Sequence, residues 1–220
     1  AAGMAELAAR TGLRMHLHLS ETRDEQEACK ARHGGKTPAR YFYDLGVFDA
    51  PTTAAHCVWL EGEDFSLLRE KGVTVASCPV SNLKLASGFC PAPRLLQEGV
   101  SVALGTDGVS SNNSTDLFAD MKLAAILTCG AEHDPMAVTA WDALETATVN
   151  GARALGRKAG RVAPGYTADL ILVDFDRPNL IPCHDTVENL VYAAHGADVC
   201  MNMARGRVIY QNGAFLTIDL

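Results

Sequence analysis

Thr53-Ala54-Ala55-His56-Cys57 is followed by Glu63–Glu70, closed by Gly72, and then by Val73-Thr74-Val75-Ala76-Ser77. The outer segments are short and apolar with little alternation, as expected of parallel strands buried on both faces. The middle segment has helical character, and Gly72 supplies its stop. Working outward, the same alternation repeats. Upstream, residues 1–12 read as a helix ending at Gly12, Leu13–Leu19 as a strand, and Thr22–Arg32 as a helix closed by Gly34-Gly35. Pro38–Leu45 reads as a second helix with Pro38 near its first turn. Downstream, Cys78–Pro93 reads as a long polar loop, Arg94–Glu98 as a short helix, Val100–Leu104 as a strand and Asp116–Cys129 as a helix. Four successive strand–helix units form either a doubly wound sheet or part of a β/α barrel. The G-x-G-x-x-G fingerprint and the P-loop are both absent.

The pattern changes further along. Residues 135–155 read as helical, and from Tyr166 onward short strands take over at Asp169–Val173, Val199–Met203, Arg207–Tyr210 and Ala214–Thr217. The expected division is a β/α part over 1–160 and a small β-rich segment over 161–220. The balance of 19 Lys and Arg against 26 Asp and Glu gives −7, and the pI is about 5.4. An acidic chain without a basic cluster is a poor partner for nucleic acid or anionic membranes. Its apolar runs, such as Leu170–Val173, are too short to span a bilayer. Seven cysteines lie scattered without C-x-x-C spacing, which argues against a zinc ribbon and for a reducing, cytoplasmic setting. The chain opens on Ala1 rather than Met, without the flank and core of a signal peptide, and both a trimmed tag and an upstream half are compatible with that start.

In β/α barrels the chemistry sits at the C-terminal ends of strands. The first strand here runs into His16-Leu17-His18-Leu19-Ser20-Glu21, the second into His56-Cys57, the third into Cys78-Pro79 and the fourth into Gly105-Thr106-Asp107-Gly108. His16 and His18, two apart on a strand, share a face, which suits a metal-binding pair and equally a hydrogen-bonded rim. Glu21 fits a proton shuttle or an acid at a helix start. His56, in an apolar strand, needs a partner to offset its desolvation, whether as a core histidine or a site residue. Asp107 fits a metal ligand or a turn aspartate bonding its own backbone.

Together His18-Leu19-Ser20-Glu21-Thr22, Ala55-His56-Cys57, Cys78–Gly88, Leu104–Gly108 and Ser111-Asn112-Asn113, in this order and spacing, resemble the amidohydrolase superfamily, and within it the 5′-methylthioadenosine/S-adenosylhomocysteine deaminase group. The tail Gly165–Asp174 resembles the C-terminal β segment of the same proteins. The resemblance implies the C-terminal half of a metal-dependent (β/α)8 barrel, strands five to eight, with a small C-terminal β appendage. It implies that His18 and Asp107 are metal ligands and that Glu21 is the acid/base glutamate contacting substrate. It further implies that His56 stands near the attacking water and acts with Asp107 to position and deprotonate it. His16 is then a neighbouring residue behind the ligands. The metal implied is zinc, with iron, nickel or manganese compatible with the same donors. The reaction implied is hydrolytic deamination of a purine nucleoside.

Proteins of that group are roughly twice as long, and the absent half carries the first four strands and another metal-binding H-x-H. The expectation is therefore a parent enzyme represented here by two of its four protein metal ligands. On this reading the chain by itself has little or no activity and tends to self-associate or pair with a missing half. A guanine or 8-oxoguanine deaminase and a chlorotriazine hydrolase share the same apparatus. A non-catalytic half-barrel used as an oligomerising module is the alternative of a different class.

Overall fold

The computed structural model describes residues 2–219; Ala1, where the first predicted helix begins, lies outside them. In chain order the elements are α1 (Ala2–Thr11), β1 (Met15–Leu19), α2 (Arg23–Arg32), α3 (Pro38–Asp44), β2 (Thr52–His56), α4 (Asp64–Glu70), β3 (Thr74–Ser77), α5 (Pro79–Lys84), α6 (Ala92–Gln97), β4 (Ser101–Leu104) and α7 (Val109–Asn112). There follow α8 (Leu117–Glu132), α9 (Ala140–Ala147), α10 (Val149–Ala154), β5 (Leu170–Val173), α11 (Thr186–Tyr192), β6 (Val199–Ala204), β7 (Arg207–Gln211) and β8 (Ala214–Phe215). Two compact units divide between Thr115 and Asp116. The change from helical to strand-rich sequence near residue 160 therefore falls inside the second unit.

The first unit is α/β. Its four strands are parallel and ordered β1-β2-β3-β4, so spatial order follows chain order with no reversal among them. A doubly wound dinucleotide fold would place a switch point in such a sheet. The two-residue period of a strand sorts the side chains by face. Leu19, Ala54, Val75 and Val102 enter one buried cluster with Phe48, Phe65, Leu68 and Leu95 from the surrounding helices and turns. The opposite face carries two rows set by the register. One row is His16, Thr53, Thr74 and Ser101; the next is His18, Ala55, Ala76 and Ala103. The polar row and the row of small residues run side by side, with a histidine heading each. Among the described residues β1 pairs only with β2, and β4 only with β3.

Helix starts in this unit follow capping chemistry. Thr22 accepts the Glu25 amide and opens α2. Thr37 accepts the Arg40 amide ahead of Pro38, while its hydroxyl donates to buried Asp64 at 2.6 Å. Burial raises the Asp64 pKa, and that hydrogen bond together with one from the Glu61 amide counters the rise only in part.

The predicted polar loop over residues 78–93 is overturned in part. Pro79–Lys84 is helical, because Pro79 takes the first helical position where no amide is needed, and Asn82 N and Leu85 N bond back to Cys78 O and Ser81 O. The single helix expected over 135–155 is two, broken at Thr148, whose φ of −121° and ψ of −85° leave the helical region.

The second unit packs α8, α9 and α11 against one another and carries an antiparallel sheet ordered β5-β6-β7-β8. Asp116 caps α8 through Phe118 N and also accepts from Gly196 N at 3.0 Å. Tight two-residue turns, Arg205-Gly206 and Asn212-Gly213, join the last three strands, with all four residues at positive φ as this hairpin type demands. Among the described residues no helix is long and apolar enough to cross a membrane, and no disulfide links the cysteines.

Candidate active site

The ends of β1 and β2 are stitched into one structure. Beyond β1 the backbone turns through Ser20 at φ 49°, and beyond Ala55 it turns through His56 and Cys57 at φ 72° and 50°. Left-handed backbone is costly for residues other than glycine and persists where surrounding contacts enforce it. Here Cys57 N donates to Leu19 O, and Val58 N and Trp59 N both donate to Ser20 O. The Glu25 carboxylate reaches back to the Ser20 and Glu21 amides at 3.2 and 2.7 Å. Asp107, past β4, is another left-handed residue, at φ 59°. Among the described residues, four of the nine non-glycine residues at positive φ thus lie at these strand ends. Each turn redirects a side chain that an extended strand would have sent elsewhere.

His56 is the centre of the resulting group. It is 1% exposed. Its Nε2 lies 3.7 Å from Glu21 Oε2, and its ring centroid is 5.1 Å from that of His18. Its Nδ1 lies 2.8 Å from Asn82 Oδ1. Asp107 accepts the Ser81 hydroxyl at Oδ2 (2.6 Å) and the Gly108 amide at Oδ1 (2.7 Å). Burial by itself would raise the Asp107 pKa, but these hydrogen bonds and nearby His56 outweigh it and hold the carboxyl below its ordinary value. The loop beyond is tied down by Lys84, whose ammonium donates to Ser110 O at 2.9 Å and to Asn113 Oδ1.

His18, Glu21 and His56 are therefore gathered at neighbouring strand ends, and Asp107 lies near enough to His56 for the two to interact electrostatically. His16 shares the exposed face of β1 with His18; among the described residues it has no hydrogen bond or ion pair to the others. Three residues of α5 that the sequence pattern places inside a loop, Ser81, Asn82 and Lys84, each hold a different part of the site. The local signal is Cys78-Pro79, a proline placed to start a helix.

The donor chemistry of imidazole and carboxylate suits a zinc-like divalent ion. Yet among the described residues no three His, Cys, Asp or Glu groups are gathered to hold a metal ion. Catalytic zinc sites use three protein ligands, so His18 and Asp107 fit part of a site rather than a whole one.

Residues 1–209 match the model of the amidohydrolase family. The chain belongs to that family. Among amidohydrolases it is 49% identical, over 98% of its length and 51% of the relative's, to a protein of Moorella thermoacetica named 5-methylthioadenosine/S-adenosylhomocysteine deaminase. It is 44% identical to a 5′-deoxyadenosine deaminase of Methanosarcina mazei, over 99% of this chain and 50% of the other. Among solved structures, an adenosine deaminase of Xanthomonas campestris with bound zinc superposes with a TM-score of 0.95 at 36% identity, covering 99% of this chain and 50% of that one. The chain spans about half the length of the curated relatives it matches.

Proposed function

We propose that this chain carries one half of the active site of a metal-dependent hydrolase that deaminates adenine nucleosides of the 5′-methylthioadenosine/S-adenosylhomocysteine type. The observation that carries the reading is the group formed by His18, Glu21, His56 and Asp107 at the C-terminal ends of the parallel strands β1, β2 and β4. Its half-length match to relatives named as adenine-nucleoside deaminases supports the substrate class. The chain-ordered sheet and its two open edges support a (β/α)8 barrel in which residues 1–160 supply strands five to eight, paired with four more strands, and residues 161–220 form the appendage. Seven scattered free cysteines support a cytoplasmic setting.

A divalent ion, zinc by the chemistry of the donors, would be held by His18 and Asp107 together with ligands from the paired strands, and supplies Lewis-acid polarisation at neutral pH. The chain's own residues do the rest. Asp107 and His56 Nε2 orient the attacking water and take its proton as the new O–C6 bond forms. Glu21 gives a proton to the purine ring nitrogen, then helps deliver one to the departing amine as the C6–N6 bond breaks. Water and the aminopurine become the 6-oxopurine and ammonia, with nothing oxidised or reduced.

The test is ammonia release by the protein at its full natural length from 5′-methylthioadenosine, S-adenosylhomocysteine, 5′-deoxyadenosine, guanine and an aminotriazine. Turnover is expected on the adenine nucleosides. Glu21→Gln should lower kcat by about 100-fold or more, the usual worth of a general acid, with divalent-metal content unchanged. Turnover on guanine or triazine alone, or a Glu21→Gln variant as fast as the parent, overturns the proposal.

A further inference from the structure

His56 offers two ring nitrogens, and only one can carry the proton while the ring is neutral. The site needs a lone pair on the nitrogen that faces the reaction, so whatever holds the other nitrogen decides whether His56 can work. In this structure that group is Asn82. Both residues are 1% exposed, and Nδ1 of the ring lies 2.8 Å from the amide oxygen. An amide oxygen only accepts, so the proton stands on Nδ1 and the lone pair on Nε2, the nitrogen that faces Glu21.

Asn82 is itself fixed. Its N–H donates to Cys78 O at 2.9 Å and its carbonyl accepts from Ser87 N at 2.7 Å, so the side chain leaves a backbone pinned on both sides. Its amide nitrogen is buried without a hydrogen-bond partner among the described residues. A carboxylate at the same position would accept as well, but its charge would favour the imidazolium and occupy the Nε2 lone pair with a proton. A neutral acceptor avoids that.

We propose that Asn82 is a positioning residue that holds His56 in the Nδ1–H tautomer and so presents the Nε2 lone pair to the reacting water. The role of that lone pair rests on the deaminase reading above; the tautomer does not. The experiment is histidine-selective 15N labelling of the full-length protein, with wild type, Asn82→Ala and Asn82→Asp compared at one pH, and kcat and KM measured alongside. In wild type the His56 pattern is expected to show a protonated Nδ1 and an unprotonated Nε2. Asn82→Ala should lose that pattern and lower kcat by about 10–100-fold with KM little changed, the usual worth of a residue that orients a functional histidine. Asn82→Asp should restore the Nδ1 proton.

A wild-type pattern with the proton on Nε2 overturns the proposal, and this single spectrum decides even if Asn82→Ala does not fold. So does an Asn82→Ala variant that keeps both the wild-type pattern and the wild-type kcat. The expected tautomer in a protein that deaminates no nucleoside would overturn the deaminase reading and the catalytic use of Nε2, leaving the orientation by Asn82 in place.

Discussion

Ser81→Ala is the most direct probe of how Asp107 is aimed. Ser81 has no exposed surface, and its hydroxyl donates to Asp107 Oδ2 at 2.6 Å, within the short range of hydrogen bonds to a charged oxygen. Alanine removes one oxygen and that one bond. Asp107 keeps the Gly108 amide at 2.7 Å, so the carboxylate is loosened rather than released. A hydrogen bond to a charged group contributes about 1.5–3 kcal/mol. At about 1.4 kcal/mol for each factor of ten, that corresponds to roughly 10–150-fold in an affinity. On the proposal that Asp107 is a metal ligand, a residue that orients it is typically worth about 10–100-fold, so the two routes agree. The assay is chelator competition for zinc in the full-length protein, with urea unfolding of the metal-free form measured beside it. The expected result is a zinc affinity weaker by about 10- to 100-fold, by the same argument, with a matching loss of turnover. If affinity and turnover stay at wild-type values while only stability falls, Ser81 serves the fold alone and the aiming of Asp107 by α5 is refuted.

Other perturbations read the scaffold. Leu68→Ala, at a fully buried position of the first unit's cluster, should cost about 2–5 kcal/mol in urea unfolding; a loss well under about 1 kcal/mol would mean that the cluster is loosely packed. Gly160→Ala should destabilise the chain by about 1–3 kcal/mol, because φ is +82° and the new Cβ would sit 2.6 Å from the Thr148 carbonyl oxygen; an unchanged melting temperature would contradict that geometry. Asp198 accepts hydrogen bonds from Asn179 Nδ2 and His195 N, both at 2.9 Å, and these outweigh burial and hold its pKa below the ordinary value. Its contribution is present above the unfolded carboxylate pKa of about 3.9 and is lost as pH falls through the lower folded value. Asp198→Ala should therefore cost about 1–2 kcal/mol at pH 7, and the gap should close in acid; a gap that widened below about pH 4 would invert the sign.

The parallel strands are legible in the sequence because their neighbours bury them, so Val73–Ser77 and Val100–Leu104 stand out as apolar runs against charged helices. The residues at the strand ends are legible by position alone, since parallel strands deliver the residues just past their C-terminal ends to one rim. The α5 segment is not. Its serine, asparagine and lysine look like a solvated loop, whereas Ser81 and Asn82 are buried and spend their polarity on Asp107 and His56. Contacts of that kind between side chains far apart in the chain leave no periodic trace. Helix α11 escapes a sequence reading because its cap, Asp185 accepting from Val187 N and Glu188 N, lies in a stretch rich in turn residues. The break at Thr148 escapes it because helical composition continues across the break.

The three ties from α5 have equal spans. His56 to Asn82, Ser81 to Asp107 and Lys84 to Ser110 are each 26 residues apart, about one strand–helix repeat. Loop-closure entropy grows only as the logarithm of length, so doubling such a span costs about 0.6 kcal/mol. Insertions and deletions in the surface turns between the anchor points are thus thermodynamically mild, whereas α4 and α6, which bury Phe65, Leu68 and Leu95, keep their lengths. Short cross-links from α5 to the ends of β2 and β4 hold His56, Asp107 and Ser110 in place, and the turns that lead into and out of the intervening helices can change in length without moving them.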